Sequence, residues 1–145
     1  MKIELTEKQY RRLVELVFLG NWMVNSSALN GEENKDYSDL EQFIFSYSKE
    51  LKMEDLIIFD ETYKEYFPTR QFEELIDPYI RNYEEISFWE ELQSRLARRD
   101  LLREIGPINK LDDSHIERQF KIEEKYENEF VKNGLKNLEV QSKKK

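Results

Sequence analysis

Carboxylates are the commonest chemically competent groups in this chain, with 31 Asp and Glu against 23 Lys and Arg, one histidine and no cysteine. Carboxylates projecting from facing helices can hold divalent metal ions. Glu123-Glu124-Lys125-Tyr126-Glu127 has the EExxE spacing of one half of such a helical site. The other half, ExxD, would have to follow. It does not: Glu129 is followed three residues later by Lys132, and Glu139 by Ser142. In so acidic a chain the match is expected by chance, and the run reads as a solvated helix face. A single histidine, His115, cannot supply the two Glu-x-x-His pairs of a di-iron bundle. Residues 36–39 lack the alternating oxygen ligands and central glycine of a calcium loop. Asp112, Asp113, Ser114 and His115 bring Ser, His and Asp together, but along one short segment and without a G-x-S-x-G elbow. They read as a helix start. The absence of cysteine excludes a disulfide framework, a thiol nucleophile and Cys-based metal sites. No catalytic residue, metal ligand or cofactor is therefore assigned.

Binding chemistry is better represented. Arg95, Arg98, Arg99 and Arg103 fall within an arc of about 140° on a helical wheel. Such a strip can recognise phosphate or an acidic partner. Leu102 shares the arc, however, so the arginine stems can instead cover apolar surface while their heads pair with the acidic middle of the chain. Tyr63, Tyr66 and Phe67, beside Pro68, are candidate interface anchors, because aromatic side chains dominate binding hot spots. Asn21 and Asn25, one turn apart beside Trp22, must find hydrogen bonds where they meet the core.

The net charge of −8 is unevenly spread. Residues 1–30 carry four basic and three acidic groups, residues 31–90 six against seventeen, and residues 91–145 thirteen against eleven. The acidic middle repels nucleic acid and anionic membranes and favours basic partners or cations.

These residues need elements to position them, and the punctuation points to helices. Glycine and proline number only four and three. Thr6-Glu7-Lys8-Gln9 is a capping box, and Leu13 to Val24 is apolar on most of its circumference, which predicts a helix enclosed by its neighbours. Ser38-Asp39-Leu40-Glu41 and Ser87-Phe88-Trp89-Glu90 repeat the box. The first predicts a helix burying Leu40, Phe43, Ile44, Tyr47 and Leu51; the second predicts a helix to Ile105, closed by Gly106-Pro107. Asp77-Pro78 has the form of a cap and first helical residue. Residues 56–59 are apolar and open to either strand or helix. Helix or irregular structure is favoured because no partner strand is evident, and Tyr63–Phe72 reads as a short helix, a break at Pro68 and a new start near Thr69. Asp113 or Ser114 starts a last helix, with the stripe Ile116, Phe120, Tyr126, Phe130 and Val131, ending at Gly134.

The expected fold class is all-α: a single compact domain, residues 1–138, of five to seven helices around a central apolar N-terminal helix, with a disordered basic tail at 139–145. The longest apolar run near the N-terminus, Leu16–Leu19, is too short for a membrane span or signal-peptide core, so a cytoplasmic protein is expected. The expected function is non-catalytic: binding of a protein partner, or self-association, with nucleic acid and membrane disfavoured. The alternative is a metal-dependent helical hydrolase acting on a phosphorylated small molecule.

Overall fold

The computed structural model describes residues 2–29, 31–108 and 110–139. In order, the elements are α1 (Glu7–Asn25), α2 (Lys35–Phe45), β1 (Ile57–Asp60), β2 (Glu65–Pro68), α3 (Arg70–Ile105) and α4 (Asp113–Asn133). The described residues thus form four helices and a two-stranded antiparallel hairpin, not the five to seven helices expected. Residues 140–145, most of the expected basic tail, lie outside the described residues.

Local capping chemistry accounts for the helix ends that sequence placed well. The Thr6 hydroxyl accepts the Gln9 N–H at 3.3 Å while Gln9 Oε1 accepts the Thr6 N–H at 2.9 Å, closing the box that starts α1. Asp112, one residue before the expected caps, starts α4 by accepting the His115 N–H at 2.9 Å. Gly106 and Gly134 close α3 and α4 with φ of +78° and +57°, values that an L side chain disfavours.

Two boxes proved misleading for one reason. Asn34, not Ser38, caps α2, and Ser38 lies inside that helix. Ser87 and Pro78 both lie inside α3, a single helix of 36 residues, so neither opens a helix. A cap supplies a partner to backbone N–H groups that have none. Where an earlier turn already supplies carbonyls, the same residues lie in mid-helix. The true start of α3 is at Thr69, whose hydroxyl accepts the Phe72 N–H at 3.3 Å and donates to the Asp55 carbonyl at 2.7 Å.

The hairpin is the larger correction. β1 pairs with β2 in the register Ile57↔Pro68, Ile58↔Phe67, Phe59↔Tyr66 and Asp60↔Glu65. The segment read as a short helix before Pro68 is thus the missing partner strand. Pro68 is tolerated because it ends an edge strand. The turn is held by Asp60, whose carboxylate accepts the N–H groups of Thr62 and Tyr63 at 2.7 and 3.0 Å, and by Lys64 in the left-handed region at φ +59°.

Backbone contacts divide the chain into two compact units, residues 1–81 and 82–145, the division falling within α3. In the first, Tyr10, Val14, Phe45, Met53, Leu56, Ile57, Phe72 and Ile76 form the core. α1 is not a central, enclosed helix: Leu16 is 66% exposed, and Met23 and Val24 are exposed too. It packs along α2, and one neighbouring helix cannot cover a whole circumference. On α2, Phe45 is buried while Leu40 and Phe43 of the expected stripe are exposed, as is Tyr47 just beyond the helix. In the second unit Ala97, Leu101 and Ile122 form the core, with Leu111 and Tyr126 against it. Phe130 stacks on Tyr126 and packs on Trp89, with ring centroids 5.7 and 5.4 Å apart. Phe120 and Val131, expected on the buried stripe of α4, are exposed instead.

Candidate functional site

The candidate residues fall in different units. Tyr63, Tyr66 and Phe67 belong to the hairpin, where strand alternation separates them. Tyr66 turns inward, packs on the core and touches Phe59 with ring centroids 4.9 Å apart. Phe67 turns outward beside its cross-strand partner Ile58, and Tyr63 reaches back from the turn to meet Phe67 edge-on at 6.0 Å. Ile58, Tyr63 and Phe67 are 50%, 70% and 37% exposed, so this pair and the adjoining ring form one apolar patch facing solvent. Sequence reasoning missed Ile58 because it needs the strand register.

The two edges of the hairpin differ. Gln42, on α2, accepts the Tyr66 N–H through Oε1 at 2.7 Å and donates from Nε2 to the Tyr66 carbonyl at 2.9 Å. A side-chain amide thereby takes the place of a third strand along β2. Because Tyr66 directs both backbone groups away from β1, its partner Phe59 directs both of its own away from β2. Among the described residues nothing pairs with those Phe59 groups. The sequence through that edge is acidic: residues 53–63 include Glu54, Asp55, Asp60 and Glu61 and no Lys or Arg. Arg11 reaches Asp55 at 3.6 Å and Lys64 reaches Glu61 at 2.6 Å.

In the second unit the arginine strip is largely engaged at home. Arg95 pairs with Glu91 at 2.8 Å, and Arg99 and Arg103 pair with Asp100 at 2.8 and 3.1 Å. Arg99 also donates to the Tyr126 hydroxyl at 3.0 Å, and that hydroxyl donates to Asp100. Arg98 is half-buried. The Arg99 hydrogen bond, more than any other influence, holds the Asp100 carboxyl below its usual range, and burial raises the Tyr126 phenol. These partners lie beside the arginines on α3 or on α4, not in the acidic middle of the sequence.

A polar seam joins α1 to α2. Asn21 Nδ2 donates to Glu41 at 3.0 Å, and Asn25 donates to Asn21 Oδ1 at 2.7 Å while accepting the Asn34 N–H at 2.7 Å. Ser38 donates to Asn21 Oδ1 at 3.3 Å. Burial pushes the Glu41 carboxyl up to about 7, against the opposing pull of the Asn21 hydrogen bond. The role of Asn21 and Asn25 is thus to bind the helices together and hold the chain's exit from α1.

Other groups with chemical promise are spent on structure. Ser114 Oγ and the His115 N–H both donate to Asp112 Oδ1, making an N-cap. Among the described residues, no three His, Cys, Asp or Glu side chains are grouped to hold a metal, the EExxE run included. A cleft of about 400 Å³ in the first unit has an apolar floor of Phe18, Ile76 and Ile80, with Glu74 and Asp77 at its rim paired to Arg70 and Arg81. No described helix is long and apolar enough to cross a membrane.

The structure therefore defines a mainly helical protein with a small β-hairpin whose outer face is apolar. No protein-family model, curated protein or solved structure matches the chain.

Proposed function

We propose that the protein is a binding module for another protein and engages it through the outer face of the β1–β2 hairpin. The observation that carries this reading is the cross-strand pair Ile58–Phe67 with Tyr63 against it, a contiguous apolar patch on a hairpin tied to α2 through Gln42. Exposed aromatic clusters on ordered elements are the usual anchors of interfaces, since they bury much area at small entropic cost. The core face of the same hairpin is separately occupied by Ile57 and Tyr66, so the outer residues are not needed to complete the fold.

The test is quantitative capture from cell lysate with wild type and with the triple variant Ile58→Ser, Tyr63→Ser, Phe67→Ser, checked for unchanged helicity and melting temperature. A stoichiometric partner retained by wild type and lost by the variant is the expected result. Equal capture by both proteins, or no partner for either, would overturn the reading.

A further inference from the structure

We infer that the partner contributes an extended segment, alternating apolar and basic side chains, which pairs with the open outer edge of β1 as an added strand. This rests on the hairpin being the binding surface and specifies how that surface is read.

The backbone argument comes from the register. In an antiparallel pair, residues alternate between directing their N–H and C=O groups at the partner strand and away from it. The Tyr66–Gln42 bonds identify Phe59↔Tyr66 as an outward-directed pair, and by alternation Ile57↔Pro68 is another, as the missing N–H of Pro68 requires. Along β1 this leaves the Phe59 N–H and carbonyl facing out and open; Ile57 is only 1% exposed, so its outward carbonyl is covered by the packing around it. The Ile57 N–H is already used, donating to the Met53 carbonyl at 3.0 Å. Edges of this kind are templates for an incoming strand unless something covers them. On β2 the Gln42 amide does so. On β1, at Phe59, no described group does.

The side chains define the occupant. An added strand would lie beside Ile58 on the outer face and Phe59 on the inner, both exposed, so its own alternating residues meet apolar surface. The sequence through and flanking β1 carries Glu54, Asp55, Asp60 and Glu61. Arg11 and Lys64 pair with Asp55 and Glu61, Asp60 is spent on the turn, and Glu54 has no ion-pair partner among the described residues. The four carboxylates with these two cations leave a net charge of −2. Basic residues in the segment complete that field. The same charges disfavour a second copy: two β1 edges meeting antiparallel would crowd four carboxylates from each onto one short seam.

The probe is a synthetic peptide of about ten residues alternating valine and lysine, titrated into the full chain and followed by amide exchange, with a valine–glutamate peptide as control. The lysine peptide should bind at least about tenfold more tightly than the control, and at saturation it should slow Phe59 N–H exchange by about tenfold or more. Equal binding of the two peptides, no binding of the lysine peptide, or binding without protection of Phe59 would overturn strand addition. Binding that leaves Phe59 unprotected yet is lost in Ile58→Ser, Phe67→Ser would leave the surface reading standing. Binding that leaves Phe59 unprotected and is indifferent to those substitutions would remove both. Concentration-dependent dimerisation that itself protects Phe59 would replace the partner segment with a second copy.

Discussion

Glu41 shows most directly how a single residue couples this structure to its surroundings. Its carboxyl ionises at about 7 in the folded chain because burial between α1 and α2 opposes the charge. In the unfolded chain it returns to the ordinary value of 4.5. The folded state therefore holds this proton more tightly, so its stabilising contribution is complete below about 4.5 and is lost as pH rises through about 7. The full difference would be about 3 kcal/mol for a fully buried group, and solvent screening of the part-exposed carboxyl lowers it to on the order of 2 kcal/mol. Glu41→Gln keeps an acceptor for Asn21 without the charge. Denaturant unfolding should show the variant gaining on wild type from pH 5 to pH 8; a constant difference across that range would assign Glu41 no such role. Glu15, on α1, is a second costly carboxylate: it is buried, paired to Arg12 through one oxygen, and its Oε1 has no partner among the described residues.

At the scale of elements, two positions work against the backbone that contains them. Pro78 lies in the interior of α3, where it has no N–H to donate to the preceding turn and its ring crowds a carbonyl. Pro78→Ala should raise stability by about 1–3 kcal/mol, read as a higher denaturation midpoint at unchanged slope. Lys64 holds a left-handed conformation in the hairpin turn. Lys64→Asn or Lys64→Gly should stabilise by a few tenths to about 1 kcal/mol despite losing the exposed Glu61 pair; a fall in melting temperature would show that this pair matters more than the backbone. Helix ends were legible in sequence where the chemistry is local: Thr6 with Gln9, and Gly106 and Gly134 at the C-termini. The hairpin was not. β1 shows no clean alternation of burial, β2 contains a proline, and what satisfies Tyr66 comes from Gln42, 24 residues away. The binding patch was legible in part: Tyr63 and Phe67 stood out as aromatics near a break, while Ile58 joins them only through strand pairing.

For the molecule as a whole, charge acts well beyond the two cores. Residues 31–90 carry six basic and seventeen acidic groups, and a field of one sign opposes compaction. Added salt screens that repulsion over a Debye length of about 10 Å at 0.1 M. It also weakens the exposed ion pairs of α3 and α4, but each contributes little. Melting temperature should therefore rise by a few degrees between about 0.02 and 0.3 M sodium chloride. A fall would mean that the ion pairs outweigh the repulsion.

By itself the sequence determined the helical character, the helix ends set by caps and glycines, the acidity and the absence of cysteine chemistry, because these depend on residue type or on groups within one turn of each other. Only the tertiary structure decided how many helices form, which face of each is buried and that a hairpin exists. A capping residue becomes a cap only if no preceding turn already supplies its neighbours with carbonyls, as at Ser38 and Ser87. A strand becomes a strand only when distant groups take up its backbone bonds, as Gln42 does for Tyr66. The same pairing that Gln42 completes on β2 is left open on β1, at Phe59.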